Sequence, residues 1–517
     1  MSPNRRIFIN VIATYGRSIL ALVLALFSTR WALMALGEVD YGLRGLVGGL
    51  TSMVAILNSV LAASTGRFFA YSIGETMKIE KLAAGKNGSN STCVVWFNIA
   101  FVLHAILACV LVLIGYPVGK WLVTQYLNIP ADRMIACVWV WRFSCITCFC
   151  SMITVPFSAI YTAKQEIAEL TIYSVFTSLA NFILLFFMVR NPGDWLVKYS
   201  LLFSLITIAP LIVMTCRCFF VFPECRFVRW SPSRSLDKIK QLLVFSVARF
   251  WADIAGVVTN QGTAILVNKA LGPVYNSSMT IGNGLALHAN TLSAAMHGAM
   301  FPAVTSAAGA NDYSKMRMLS YQMCKFCGLF VLIFAVPLLL EVDILVDIWL
   351  KYPPPYVAWL ARFCLIAFII DGITLGLSAS IEAMGRIFLF KFLMGSFAVS
   401  SVLVAWLLIR CGYGVIGVGM AMVITRIPYL FLRVFYARKC AMISARNWIR
   451  KVLVPILLSA GIGVLVGTVP HFVFEPSFVR VLVTGACCVV AMFVVSWIKL
   501  LSGADRDFIV RRIRARA

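Results

Sequence analysis

The sequence predicts an all-α polytopic membrane protein of about fourteen transmembrane helices, arranged as two pseudo-symmetric six-helix lobes plus two C-terminal helices. Three observations lead there: an apolar composition, apolar runs of spanning length, and an internal repeat. Of 517 residues, 61% are hydrophobic and 13% charged, with a mean hydropathy of +0.92. Soluble domains carry about 25% charged residues, so the solvent for most of this chain is lipid. MSPNRR leads into a run too long for a secretory h-region, with no small-residue cleavage pattern before Arg17, so the first helix is expected to stay.

A helix crosses a bilayer with about 20 mainly apolar residues. Such runs occupy 7–36 and 42–72, and the break between them holds Gly37, Glu38 and Asp40, a tight outer turn flanked by Arg30 and Arg44. Runs at 93–115, 134–163, 170–189 and 197–219 complete a first lobe, residues 1–220. Residues 221–240, with Pro223, Pro232 and several basic side chains, form a cytoplasmic linker. The second lobe, 241–440, carries runs at 242–270, 278–307, 323–340, 357–383, 387–409 and 415–435. Residues 441–517 add runs at 452–469 and 478–500 and a basic tail. The longest outer connections are expected at 116–133 and 341–356, too short for an outer-face active site.

Basic loops stay in the cytoplasm. Placing the N-terminus inside puts about 28 Lys and Arg in inner connections and about 8 in outer ones, with both termini cytoplasmic. The net charge of +25 thereby reads as topology and contact with anionic lipid headgroups, not as a nucleic-acid surface.

The halves repeat. Asn58-Ser-Val-Leu-Ala-Ala-Ser-Thr-Gly-Arg-Phe-Phe69 aligns with Asn290-Thr-Leu-Ser-Ala-Ala-Met-His-Gly-Ala-Met-Phe301, and Thr14-Tyr-Gly-Arg17 with Ser246-Val-Ala-Arg249. Leu36-Gly37 finds a counterpart in Leu271-Gly272. Further along, Arg142-Phe143 matches Arg362-Phe363, and Ser158-Ala159 matches Ser378-Ala379. Copies in the same order after an even helix count are parallel repeats, and transporters place the substrate route between such repeats.

With "RWALMALGEVDYGLRGLVGG", "NSVLAASTGRFFAYSIGE", the basic linker and the 6+6+2 plan, the chain resembles the polysaccharide-transport branch of the MOP exporter superfamily. That branch holds O-antigen and capsule-unit flippases, with the peptidoglycan-precursor flippase and MATE drug antiporters as more distant relatives. The resemblance implies a non-enzymatic flippase of the bacterial inner membrane, turning polyprenyl-diphosphate-linked oligosaccharide from the inner to the outer leaflet for surface polysaccharide assembly. It implies contact with membrane lipids and other polysaccharide-assembly membrane proteins. A MATE-like cation antiporter on the same fold is the alternative, and a membrane polysaccharide polymerase or ligase a weaker one.

Arginine inside a span costs about 2.5–3.5 kcal/mol on insertion scales and usually faces protein or a wet cavity. Arg17, Arg67, Arg142, Arg249 and Arg362 fall inside runs and suit a diphosphate, because guanidinium keeps its charge and grips phosphate bidentately. Against this, any of them can instead neutralise a helix end. Arg30 and Arg44 are expected to serve the hairpin gate. Asp253, Asp371 and Glu382 are the acids placed to couple transport to H⁺ or Na⁺, although Asp253, four residues after Arg249, also suits a local ion pair. No metal, cofactor, phosphate-loop or nucleophile motif is found, and the four His and sixteen Cys read as structural.

Overall fold

The structure is a computed structural model describing residues 16–17, 20–21, 23–51, 65, 69, 90–164, 166–225, 236–385 and 388–500. Among them every regular element is helical. Residues 23–51 form α1 and α2, parted at Gly37, whose φ of 76° only glycine adopts without strain. α3 runs from Asn90–Val110 on to Tyr126 through π-type turns, and Met134–Ala163, Ile167–Arg190 and Leu196–Val221 are α4 to α6. Then come α7 (Leu236–Leu271), α8 (Pro273–Gly309), α9 (Tyr313–Leu350), α10 (Val357–Gly372), α11 (Leu375–Ala383), α12 (Phe388–Leu408) and α13 (Gly414–Ala441). α14 (Val454–Val473) and α15 (Phe478–Val495) close the chain. Among the described residues eight helices are long and apolar enough to cross a membrane, nine if α10 and α11 make one span. The protein is a multi-pass membrane protein.

Packing divides the chain into two compact units, 1–277 and 278–517. In the first, Phe97 and Phe157 meet edge to face at 5.1 Å between α3 and α4. Trp141 fills a second cluster with Leu43 and Val47 and donates to the Tyr116 carbonyl at 3.0 Å. The two glycines aligned by the repeat both have positive φ: Gly272 turns the α7–α8 corner with φ 102° as Gly37 turns α1–α2. These corners touch, because Ser277 donates to the Glu38 carbonyl and a Cβ on Gly42 would lie 2.2 Å from the Pro273 oxygen. Asn128 and Asn268 bond reciprocally beside them, Asn128 N–H to Asn268 Oδ1 at 2.8 Å.

In the second unit α9 is the centre, and α10, α11, α14 and α15 all pack on it. Three expectations are corrected here. The connection 116–133 is helical as far as Tyr126, and 341–356 shrinks to 351–356. The reason for the second is that Glu341, whose charge marks a loop in sequence, is buried and accepts bonds from Arg480, His471 and Thr484. The run 357–383 is bent by 45° between α10 and α11.

Candidate functional site

The stripe Ser144, Thr147, Ser151, Thr154, Ser158 recurs every three or four residues, which sets five hydroxyls on one face of α4. With α5 and α6 this face encloses a cavity of about 470 Å³ in the first unit, and Arg17 reaches its wall. The hydroxyls are already committed as donors. Ser151 donates to the Thr147 carbonyl at 2.8 Å, Ser158 to Val155 at 2.9 Å, Thr171 to Ile167 at 2.9 Å and Thr207 to Phe203 at 2.8 Å. Such back-bonding satisfies the O–H and leaves oxygen lone pairs facing inward.

A second cavity of about 500 Å³ lies between α2, α4 and α6, and Ser151 lines both. Its cation is Arg44, held over Tyr199 and Phe203 with the guanidinium carbon 4.4 and 4.9 Å from the ring centres. Thr51, Thr147, Ser200 and Ser204 again donate to backbone carbonyls. No carboxylate lines either cavity among the described residues. The combined wall therefore offers many hydrogen-bond acceptors and two cationic donors.

The remaining predicted residues are dispersed. Arg30 is half-buried on α1 and lines neither cavity. Arg142 donates to the Tyr116 hydroxyl at 3.2 Å and stacks on Trp139, while Arg362 pairs with Asp343, donates to the Leu339 carbonyl at 3.2 Å and stacks on Trp359. The repeat thus extends to Trp-x-x-Arg-Phe in both halves. Glu382 is paired with Lys391. Arg67 and the side chains of Arg249 and Asp253 lie outside the described residues.

Two arginines escaped the sequence reading although both lie within the run 415–435. Arg433 Nη1 reaches Asp371 Oδ1 at 2.8 Å and Thr374 Oγ1 at 2.6 Å, and Arg426 reaches Asp371 Oδ2 at 3.0 Å. Asp371 is thereby shared by two cations at the α10–α11 bend. No group of His, Cys, Asp and Glu fit to hold a metal occurs among the described residues.

No protein-family model and no curated protein matches the sequence. Solved structures do. A multidrug resistance MATE family transporter of the MOP superfamily, inward-facing, superposes with a TM-score of 0.69 at 15% identity over 84% of this chain and 97% of its own. The lipid II flippase MurJ, inward closed, gives 0.63 at 13% identity over 97% and 100%. The fold is that of the MOP transporters. A MOP superfamily transporter from Pyrococcus furiosus, described as having a binding pocket of reverse polarity, gives 0.55 at 14% identity over 83% and 95%.

Proposed function

We propose that the chain is a transporter that flips polyprenyl-diphosphate-linked oligosaccharide across the bacterial inner membrane, with both termini cytoplasmic. The observation that carries this reading is the paired cavity, in which back-bonded hydroxyls present acceptors beside Arg17 and Arg44 with no carboxylate among the described residues. Sugar hydroxyls donate to such a wall, and a diphosphate takes a guanidinium. Lobes 1–220 and 241–440 alternate access while the polyprenyl tail stays in lipid, and Arg249, with Arg17, is assigned to the diphosphate. Coupling to H⁺ or Na⁺ runs through Asp253, Asp371 or Glu382. At the last two an incoming cation displaces a basic partner, Arg433 and Arg426 at Asp371 or Lys391 at Glu382.

The likeness to multidrug MATE structures favours a second reading, export of an organic cation. A cavity with an arginine and no acid among the described residues opposes it, since a cation gains nothing from guanidinium. The test is a proteoliposome assay with a fluorescent polyprenyl-diphosphate oligosaccharide, scoring leaflet accessibility under an imposed H⁺ or Na⁺ gradient. Flipping by wild type that falls at least tenfold in Arg17→Ala is expected. Absence of flipping by folded wild type, with resistance to organic cations in an overexpressing strain, would overturn the reading.

A further inference from the structure

The two cavities follow one another along α4 and share Ser151, and their order has a chemical consequence. The Arg44 chamber touches α4 from Val140 to Ser151 and the Arg17 chamber from Ser151 to Ser158. Their midpoints along α4, near residues 146 and 155, are about 13 Å apart at 1.5 Å per residue. In a diphosphate the two phosphorus atoms share a single bridging oxygen, so one diphosphate does not fill both chambers. Each chamber nonetheless has its own guanidinium, and neither Arg17 nor Arg44 has a carboxylate within ion-pair distance among the described residues.

Arg44 is built as a binding group. Its guanidinium lies over the Tyr199 and Phe203 rings, and the Tyr199 hydroxyl is pinned to Asn181 at 3.1 Å. A guanidinium stacked on rings keeps its N–H donors for a planar, bidentate acceptor. On the flippase reading with both termini cytoplasmic, the Arg17 end of α4 faces the cytoplasm, which assigns the diphosphate to Arg17 and the glycan to Arg44.

We propose that the Arg44 chamber is a second anion subsite, which selects a glycan bearing its own acidic group, of the sugar-carboxylate class. This rests on the flippase reading, and it departs from a purely diphosphate role for the arginines. Back-bonded Thr51, Thr147, Ser200 and Ser204 accept from the sugar hydroxyls around that carboxylate.

The test uses the full-length protein in proteoliposomes with two polyprenyl-diphosphate probes, one carrying a neutral disaccharide and one its hexuronic-acid analogue. Wild type is expected to flip the acidic probe about tenfold faster. Arg44→Gln should bring the acidic-to-neutral ratio close to one, with Arg44→Lys in between. Equal loss on both probes in Arg44→Gln would assign Arg44 to the diphosphate and overturn the proposal, as would an unchanged ratio. Thermal stabilisation of the detergent-purified protein by the free, lipid-less disaccharides separates the two readings. Stabilisation by the acidic sugar alone, lost in Arg44→Gln and kept in Arg17→Gln, upholds the subsite even if neither probe is flipped. Equal effects of both sugars on wild type overturn it.

Discussion

Arg433 and Asp371 are joined at 2.8 Å across the α13–α10 interface, with the arginine side chain 9% and the aspartate 18% exposed. A charge withdrawn from water this far is tolerated only while paired, and removing one partner of a buried pair costs about 3–5 kcal/mol. Asp371→Asn leaves Arg433 and Arg426 facing each other without a counter-charge. We expect it to lower the thermal midpoint in detergent far more than Arg426→Met, whose side chain is 34% exposed and so less withdrawn from its surroundings. Asp371→Leu combined with Arg433→Met should recover much of the loss, because two apolar groups leave no orphaned ion. If the losses of Asp371→Leu and Arg433→Met simply add in the double variant, the pair is not coupled.

Glu341 organises the last two helices. It is 2% exposed and accepts from Arg480 Nη2 at 3.0 Å, His471 Nδ1 at 2.9 Å and Thr484 Oγ1 at 3.0 Å, tying α9 to α14 and α15. Glu341→Ala strands the Arg480 guanidinium, itself 8% exposed. The expected result is a loss of about 3–5 kcal/mol and faster proteolysis at the 474–477 connection. Unchanged proteolysis would mean that apolar packing alone docks the helix pair.

These clusters show what the sequence could and could not convey. Helix identity, the turn at Gly37 and its counterpart at Gly272 were legible because apolar run length and glycine chemistry are local properties. The hydroxyl stripe on α4 was equally legible as a three- and four-residue spacing, but serine and threonine raise little contrast in an apolar run. The partners of Asp371 were not legible. Arg426 and Arg433 stand 55 and 62 positions away, and only the packing of α13 on α10 and α11 brings them to one carboxylate. Glu341 was misplaced into a loop for the same reason: its neutralising groups sit 130 to 143 residues on.

Close backbone approach gives a third prediction. A Cβ on Gly376 of α11 would lie 2.1 Å from the Ser320 carbonyl oxygen of α9, whereas one on Gly461 of α14 meets nothing within 4 Å. Gly376→Ala must push two helices apart, which in packed cores costs about 1–3 kcal/mol. Gly461→Ala should be neutral or stabilising by up to about 1 kcal/mol, since alanine is the better helix former. Thermal melts of the two variants in one detergent decide the matter, and equal midpoints would refute the packing argument.

The junction of the chambers supplies the last prediction. Ser151 lines both cavities and donates its own hydroxyl proton to the Thr147 carbonyl at 2.8 Å, so towards a ligand it offers only an acceptor. Ser151→Ala removes one such acceptor, a change of about 0.5–1.5 kcal/mol, and should raise the half-saturating probe concentration about two- to tenfold. Ser151→Leu adds bulk where the chambers meet, in space the protein leaves open, so folding is expected to survive while passage between chambers is obstructed. Leaflet exchange of the lipid-linked probe should then fall by at least tenfold more than in Ser151→Ala, with both variants melting within a few degrees of wild type. Equal transport by the two variants would mean that substrate does not pass Ser151, and the groove along α4 would have to be assigned to lipid packing.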